Sequence, residues 1–110
     1  MGEGFDAGRG EEKWIIEAVK PIYDEIFNSL QPDNGKLKRS VAKEELLKSK
    51  LPNNVLSRVY SMADVDDDGL LDIDEFAVAK YLIDLKLKGF DLPTELPKHL
   101  VPPSKKNLVI

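Results

Sequence analysis

Twelve residues, Asp64 to Glu75, constrain this chain more than any other stretch of it. They read Asp-Val-Asp-Asp-Asp-Gly-Leu-Leu-Asp-Ile-Asp-Glu, with seven carboxylates and no base. Like charges so close together repel one another, and a fold that keeps them in one loop calls for a cation. The spacing says which one. Carboxylates stand at loop positions 1, 3, 5, 9 and 12 as Asp64, Asp66, Asp68, Asp72 and Glu75, the carbonyl of Leu70 falls at position 7, and Gly69 supplies the sharp turn at position 6. Glu75 can give two oxygens and Asp72 can act through water, which meets the roughly six to eight oxygens that calcium takes. Magnesium demands stricter six-coordinate geometry and keeps its waters, so it fits less well. The segment reads as a calcium-binding EF-hand loop.

Such loops pair through a short antiparallel contact at position 8, here Leu71. Aligning Gly35 with position 6 puts Leu37 at position 8 of a facing loop, but the ligand positions then hold Leu30, Pro32, Asn34, Lys38 and Val41. A lysine and a valine cannot replace carboxylates around a divalent cation. The first loop is therefore structural, and one calcium ion is expected. Sensors that open on loading combine paired sites with a Met-rich groove. This chain has two methionines, Met1 and Met62, which favours a constitutive, structural ion. The alternative is a calcium sensor whose hydrophobic groove opens on calcium loading; there, calcium removal would switch peptide binding off rather than only weaken the fold.

Helical periodicity fills in the rest. Pro21 suits a first helical turn, and Ile22, Tyr23, Ile26, Phe27 and Leu30 make one apolar face behind it. Gln31 to Gly35 reads as a turn, and Ser40 as the N-cap of a second helix from Val41 to about Ser49. Leu51-Pro52-Asn53 breaks that helix, a third follows from about Asn54 to Ala63, and a fourth from Ile73 to Leu87, closed by Gly89. The tail from Phe90 has four prolines and spaced leucines, and is expected to lie extended across the domain. The fold class is thus all-α, with two back-to-back EF-hand units at about 21–49 and 54–87, a two-stranded contact between their loops, and a proline-rich tail at 90–105. Residues 1–12 read as a flexible leader, 13–105 as the domain and 106–110 as a disordered end.

Composition excludes several functions. The chain lacks cysteine, which removes thiol nucleophiles and Cys-bound zinc. His99 is the sole histidine, and nothing beside the aspartates could serve as nucleophile or proton shuttle, so no enzyme is expected. A net charge of −4 argues against nucleic acid as a partner, although outside the acidic loop the chain is slightly basic. No apolar run approaches the roughly 20 residues that span a bilayer, and Met1 to Gly10 has no apolar core of a secretory signal. Asp6 stands where a myristoylation signal needs Ser or Thr. Leu108-Val109-Ile110 matches the loose pattern of a PDZ ligand, one that is common by chance.

Three segments resemble the EH domain, the paired EF-hand module of endocytic adaptors: Leu51-Pro52-Asn53-Asn54-Val55-Leu56, Met62 through Leu71, and Glu75-Phe76-Ala77. The flanks, Lys20-Pro21-Ile22-Tyr23-Asp24-Glu25-Ile26-Phe27 and Leu96 through Ser104, are similar to the C-terminal EH domain of the EH-domain-containing, dynamin-like ATPases. The chain contains no P-loop, so that family's ATPase activity cannot reside in it. The resemblance implies recognition of Asn-Pro-Phe motifs, with the Phe ring between the second and third helices at Leu46, Leu56 and Tyr60. Tyr60 departs from the Trp usual in the family. Arg58 falls at a basic position that favours acidic residues after the Phe. Lys43, Lys48 and Lys50 extend a basic face of the kind associated with phosphoinositide headgroups. The resemblance further implies a monomeric domain in a cytoplasmic protein, peripheral at endosomal or plasma membrane, acting in endocytic recycling.

Overall fold

Pro21 lies in the first turn of α1 (Lys20–Ser29), where its missing N–H costs nothing. The structure is a computed structural model that describes residues 14–93 and 96–103. The expected leader at 1–12, the end at 106–110 and the PDZ-like terminus lie outside the described residues. After α1 the chain forms β1 (Lys36–Leu37), α2 (Arg39–Leu47), α3 (Asn53–Ala63), β2 (Leu71–Asp72) and α4 (Ile73–Leu87), with short 3-10 turns at Ile15–Ala18 and Lys98–Leu100. This is the expected order of two helix-loop-helix units.

The two strands pair antiparallel, with Leu37 opposite Leu71 and Lys36 opposite Asp72. The position-8 pairing therefore occurs as the glycine alignment predicts. Gly35 and Gly69 both take positive φ, 78° and 80°, so the two loops turn alike although the first has no carboxylate at a ligand position.

Helix α4 runs through the centre. Glu75 through Ala79 are buried in succession, which a helix permits only when neighbours surround it. Phe76 meets Phe27 of α1 at a centroid distance of 5.7 Å and a tilt of 57°. Tyr23 of α1 donates its hydroxyl proton to Asp84, and Lys20 reaches Asp74 at 3.4 Å. The end of α4 follows from Gly89 at φ 103°: its N–H donates to Lys86 and that of Phe90 to Leu85, the paired bonds of a Schellman cap.

One cap differs from expectation. Ser40 lies inside α2; Lys38 is the N-cap, in extended conformation and without a side-chain bond. The chain leaves β1 extended through Lys38, whose carbonyl accepts the first helical bond from Ala42 at 3.0 Å. The helix consequently begins before the serine can cap it. Beyond α4, Leu100 and Val101 are buried, and Leu92 and Leu96 are partly so. The indole N–H of Trp14 donates to the Leu100 carbonyl at 2.8 Å, joining the two ends of the described chain.

Candidate functional site

The acidic loop begins where α3 runs out. Asp64 turns its carboxylate back into the loop, accepting from Gly69 N–H at 2.9 Å and Asp68 N–H at 3.3 Å. Asp68 in turn accepts from Leu70 N–H at 2.9 Å. Across the loop Glu75 is fully buried, and its two oxygens accept from Asp66 N–H at 3.2 Å and Asp72 N–H at 3.1 Å. Asp72 completes a capping box by accepting from Glu75 N–H at 2.8 Å. The sequence Asp-x-x-Glu thus starts α4 and closes the loop with the same residues.

Four of the six expected ligand residues converge. One carboxylate oxygen from each of Asp64, Asp66, Asp68 and Glu75 lies within 4.8 Å of all the others. The Asp72 carboxylate is outside this group and caps α4 instead. The cluster is an all-oxygen, strongly anionic donor set, which suits a hard divalent cation such as calcium. Burial raises the Glu75 carboxyl to about 7; the charges of Asp72 and Asp66 push the same way, against the backbone N–H bonds it accepts from those residues. Burial likewise raises Asp64, and the charges of Asp68 and Asp66 add to it.

A second feature lies between α2 and α3. A cleft of about 300 Å³ is lined by Lys43, Leu46, Leu47, Asn53, Leu56 and Ser57. Leu46 and Leu56 form its floor as largely buried residues, while Leu47 is 49% exposed. The other two residues singled out from the sequence sit elsewhere. Tyr60 is not among the described lining residues: it is buried one turn further along α3, and its hydroxyl donates to Gly69 O at 2.7 Å in the acidic loop. The Arg39 guanidinium covers its ring at 5.2 Å. Arg58 is exposed and donates through Nη2 to the Pro93 carbonyl at 2.7 Å.

Sequence reasoning singled out Leu46 and Leu56 and passed over Asn53 and Ser57 in the cleft. Asn53 precedes Leu56 by three residues and Ser57 follows Asn53 by four, so helical spacing could have found both.

A family model described as the EH domain matches residues 15–110. Human EH domain-containing protein 3 is 50% identical over 101 residues, 92% of this chain and 19% of that protein. Human EH domain-containing protein 1 is 56% identical over 94 residues, 86% of this chain and 18% of that protein. The chain spans about a fifth of the length of the curated relatives it matches. Among solved structures, the second EH domain of AtEH1/Pan1 is similar with a TM-score of 0.74 at 27% identity, covering 82% of this chain and 88% of that one.

Proposed function

Because this chain belongs to the EH-domain family, we propose that it is a non-catalytic protein-interaction module that binds Asn-Pro-Phe-type peptides in the α2–α3 cleft, on a fold held by one calcium ion. The observation that carries the reading is the cleft itself. It offers an apolar floor at Leu46 and Leu56, polar groups at Asn53 and Ser57, and a cation at Lys43. An aromatic side chain would be desolvated by the leucines, and the polar groups would meet the peptide backbone.

The ion would be held by Asp64, Asp66, Asp68 and Glu75, with the Leu70 carbonyl and Asp72 completing the set, Asp72 through water. When bound it neutralises carboxylates that otherwise repel one another across the end of α3 and the start of α4. It thereby stiffens the frame on which the cleft is built. The reading is supported by the backbone N–H groups that orient Asp64, Asp68 and Glu75 in the loop.

Acidic residues after the Phe would meet Lys43 and Arg58. A guanidinium carries five N–H donors, so the bond to Pro93 leaves capacity for a peptide carboxylate. The basic face at Lys43, Lys48 and Lys50 extends this reading to phosphoinositide headgroups. The setting is endocytic recycling, with the protein cytoplasmic and peripheral at endosomal or plasma membrane. Among the described residues no helix is long and apolar enough to cross a membrane.

A tripeptide anchor buries little surface, so the affinity expected is on the order of −4 to −6 kcal/mol, roughly millimolar to tens of micromolar. An NMR titration of calcium-loaded, labelled protein with an Asn-Pro-Phe peptide carrying C-terminal acidic residues tests it. Shifts centred on Leu46, Leu47, Asn53 and Leu56 are expected. A flat spectrum at millimolar peptide removes this motif as the ligand.

A further inference from the structure

The Lys36 ammonium is paired with the Asp68 carboxylate and lies 3.6 Å from Asp66 Oδ2. It comes from the opposite loop, the one without carboxylates at its ligand positions. The register makes this possible: Lys36 stands across from Asp72 in the strand pair, which sends its side chain over the acidic loop. Asp66 and Asp68 are two of the four carboxylates that converge there. Lys38, two residues on in the same loop, is exposed and lies beyond the paired strand.

We propose that Lys36 is a tethered counter-cation of the calcium loop, which neutralises Asp66 and Asp68 when no metal is bound and must give them up when calcium enters. The inference rests on the calcium reading above and adds to it the residue that tunes the site. A lysine ammonium is a compact charge on a flexible four-carbon stem, and this one is only partly buried, with its side chain 32% exposed. It can therefore withdraw into water without rearranging the strand pair. The two roles have opposite consequences. Lys36 supports the metal-free fold, because it relieves repulsion that would otherwise open the loop. It also lowers calcium affinity, because the ion has to compete with the ammonium for the same two carboxylates. A residue that merely packed against the loop would push both quantities in the same direction.

The test is calorimetric titration of calcium into chelator-treated wild-type protein and into Lys36→Gln, Lys36→Arg and Lys38→Gln, together with metal-free melting temperatures at low salt. Lys36→Gln should bind calcium about threefold to tenfold more tightly while melting lower without metal, a size set by two partly exposed ion pairs. Lys36→Arg keeps the charge and should remain near wild type. Lys38→Gln reports the general effect of removing one positive charge nearby and should change affinity less. Should Lys36→Gln be unfolded without metal, its affinity is read by competing calcium from a chelator with the loaded protein. Equal tightening by Lys36→Gln and Lys38→Gln overturns the proposal while leaving the calcium site intact, as does no tightening at all. If wild type does not bind calcium but Lys36→Gln does, the lysine is the block and the proposal stands. Failure of both to bind sinks the calcium reading and this inference together.

Discussion

The hydroxyl of Tyr60 donates to the carbonyl oxygen of Gly69 at 2.7 Å, so an aromatic residue on α3 is fastened to the tip of the acidic loop. The ring is buried beneath Arg39 and contributes to the core rather than to the cleft lining. Tyr60→Phe therefore removes a loop restraint and leaves the cleft intact. A loss of about 1 kcal/mol in urea unfolding is expected, the usual net worth of one such bond. Calcium affinity should weaken with it, while peptide affinity at saturating calcium should stay within about twofold. A large loss of peptide binding in this variant would place the ring in the recognition surface.

Cleft residues that are exposed allow recognition to be tested without unfolding the domain. Leu47 is 49% exposed, whereas Leu46 beside it is 1% exposed. Leu47→Ala should leave the melting temperature within about 2 °C, since surface truncations rarely exceed about 0.5 kcal/mol. Its peptide affinity should fall by about threefold to tenfold, measured by the same NMR titration. Leu46→Ala should instead cost about 2–5 kcal/mol of stability, because it opens a cavity in the core. Lys43→Glu should weaken an acidic Asn-Pro-Phe peptide more than a neutral one, and that contrast isolates the charge contribution.

How much of this was legible in the sequence depends on how local the cause is. The bounds of α4 were, since Asp72-x-x-Glu75 and Gly89 are signals within one turn of its ends. The pairing of Leu37 with Leu71 was too, because two glycines in the same φ region align the loops. Ser40 misled because β1 fixes where α2 starts, and the serine then falls inside the helix. Tyr60 was harder still. Its spacing from Leu56 is that of a shared helical face, yet the cleft opens only over the first half of α3, and the hydroxyl finds a partner nine residues on. The reach of Lys36 into the facing loop likewise follows from strand register, which residue types alone do not reveal.

The acid side of the loop predicts a pH dependence that calcium should flatten or reverse. Glu75 in the folded, metal-free protein sits at about 7, above its ordinary 4.5. A carboxyl raised on folding binds its proton more tightly in the native state, so the contribution to stability is present below the unfolded value and is lost as pH rises towards the folded one. Asp64 is raised as well and acts with the same sign. In chelator, the melting temperature should therefore increase as pH is lowered from about 7.5 to 5.5. With saturating calcium the trend should flatten or reverse, because the ion requires the deprotonated oxygens. Circular dichroism melts in the two buffers would show it, and a metal-free melting temperature that falls over this range would contradict it.

The bond from the Trp14 indole to the Leu100 carbonyl at 2.8 Å joins segments 86 residues apart and is buried. Trp14 is itself 6% exposed, and Leu100, the last residue of its 3-10 turn, is fully buried. Trp14→Phe keeps an aromatic ring there but removes the donor, leaving a buried carbonyl without its partner. Such an orphaned group costs about 1–3 kcal/mol, and the smaller ring adds some lost packing. A decrease of that size in urea unfolding is expected, followed by far-UV circular dichroism because the variant has no tryptophan to report by fluorescence. The acidic loop and the cleft lie on other elements, so calcium and peptide affinities of the folded variant should match wild type. If stability is unchanged, the tail is not fastened through this bond; if peptide affinity falls as well, the clamp reaches the cleft through the core.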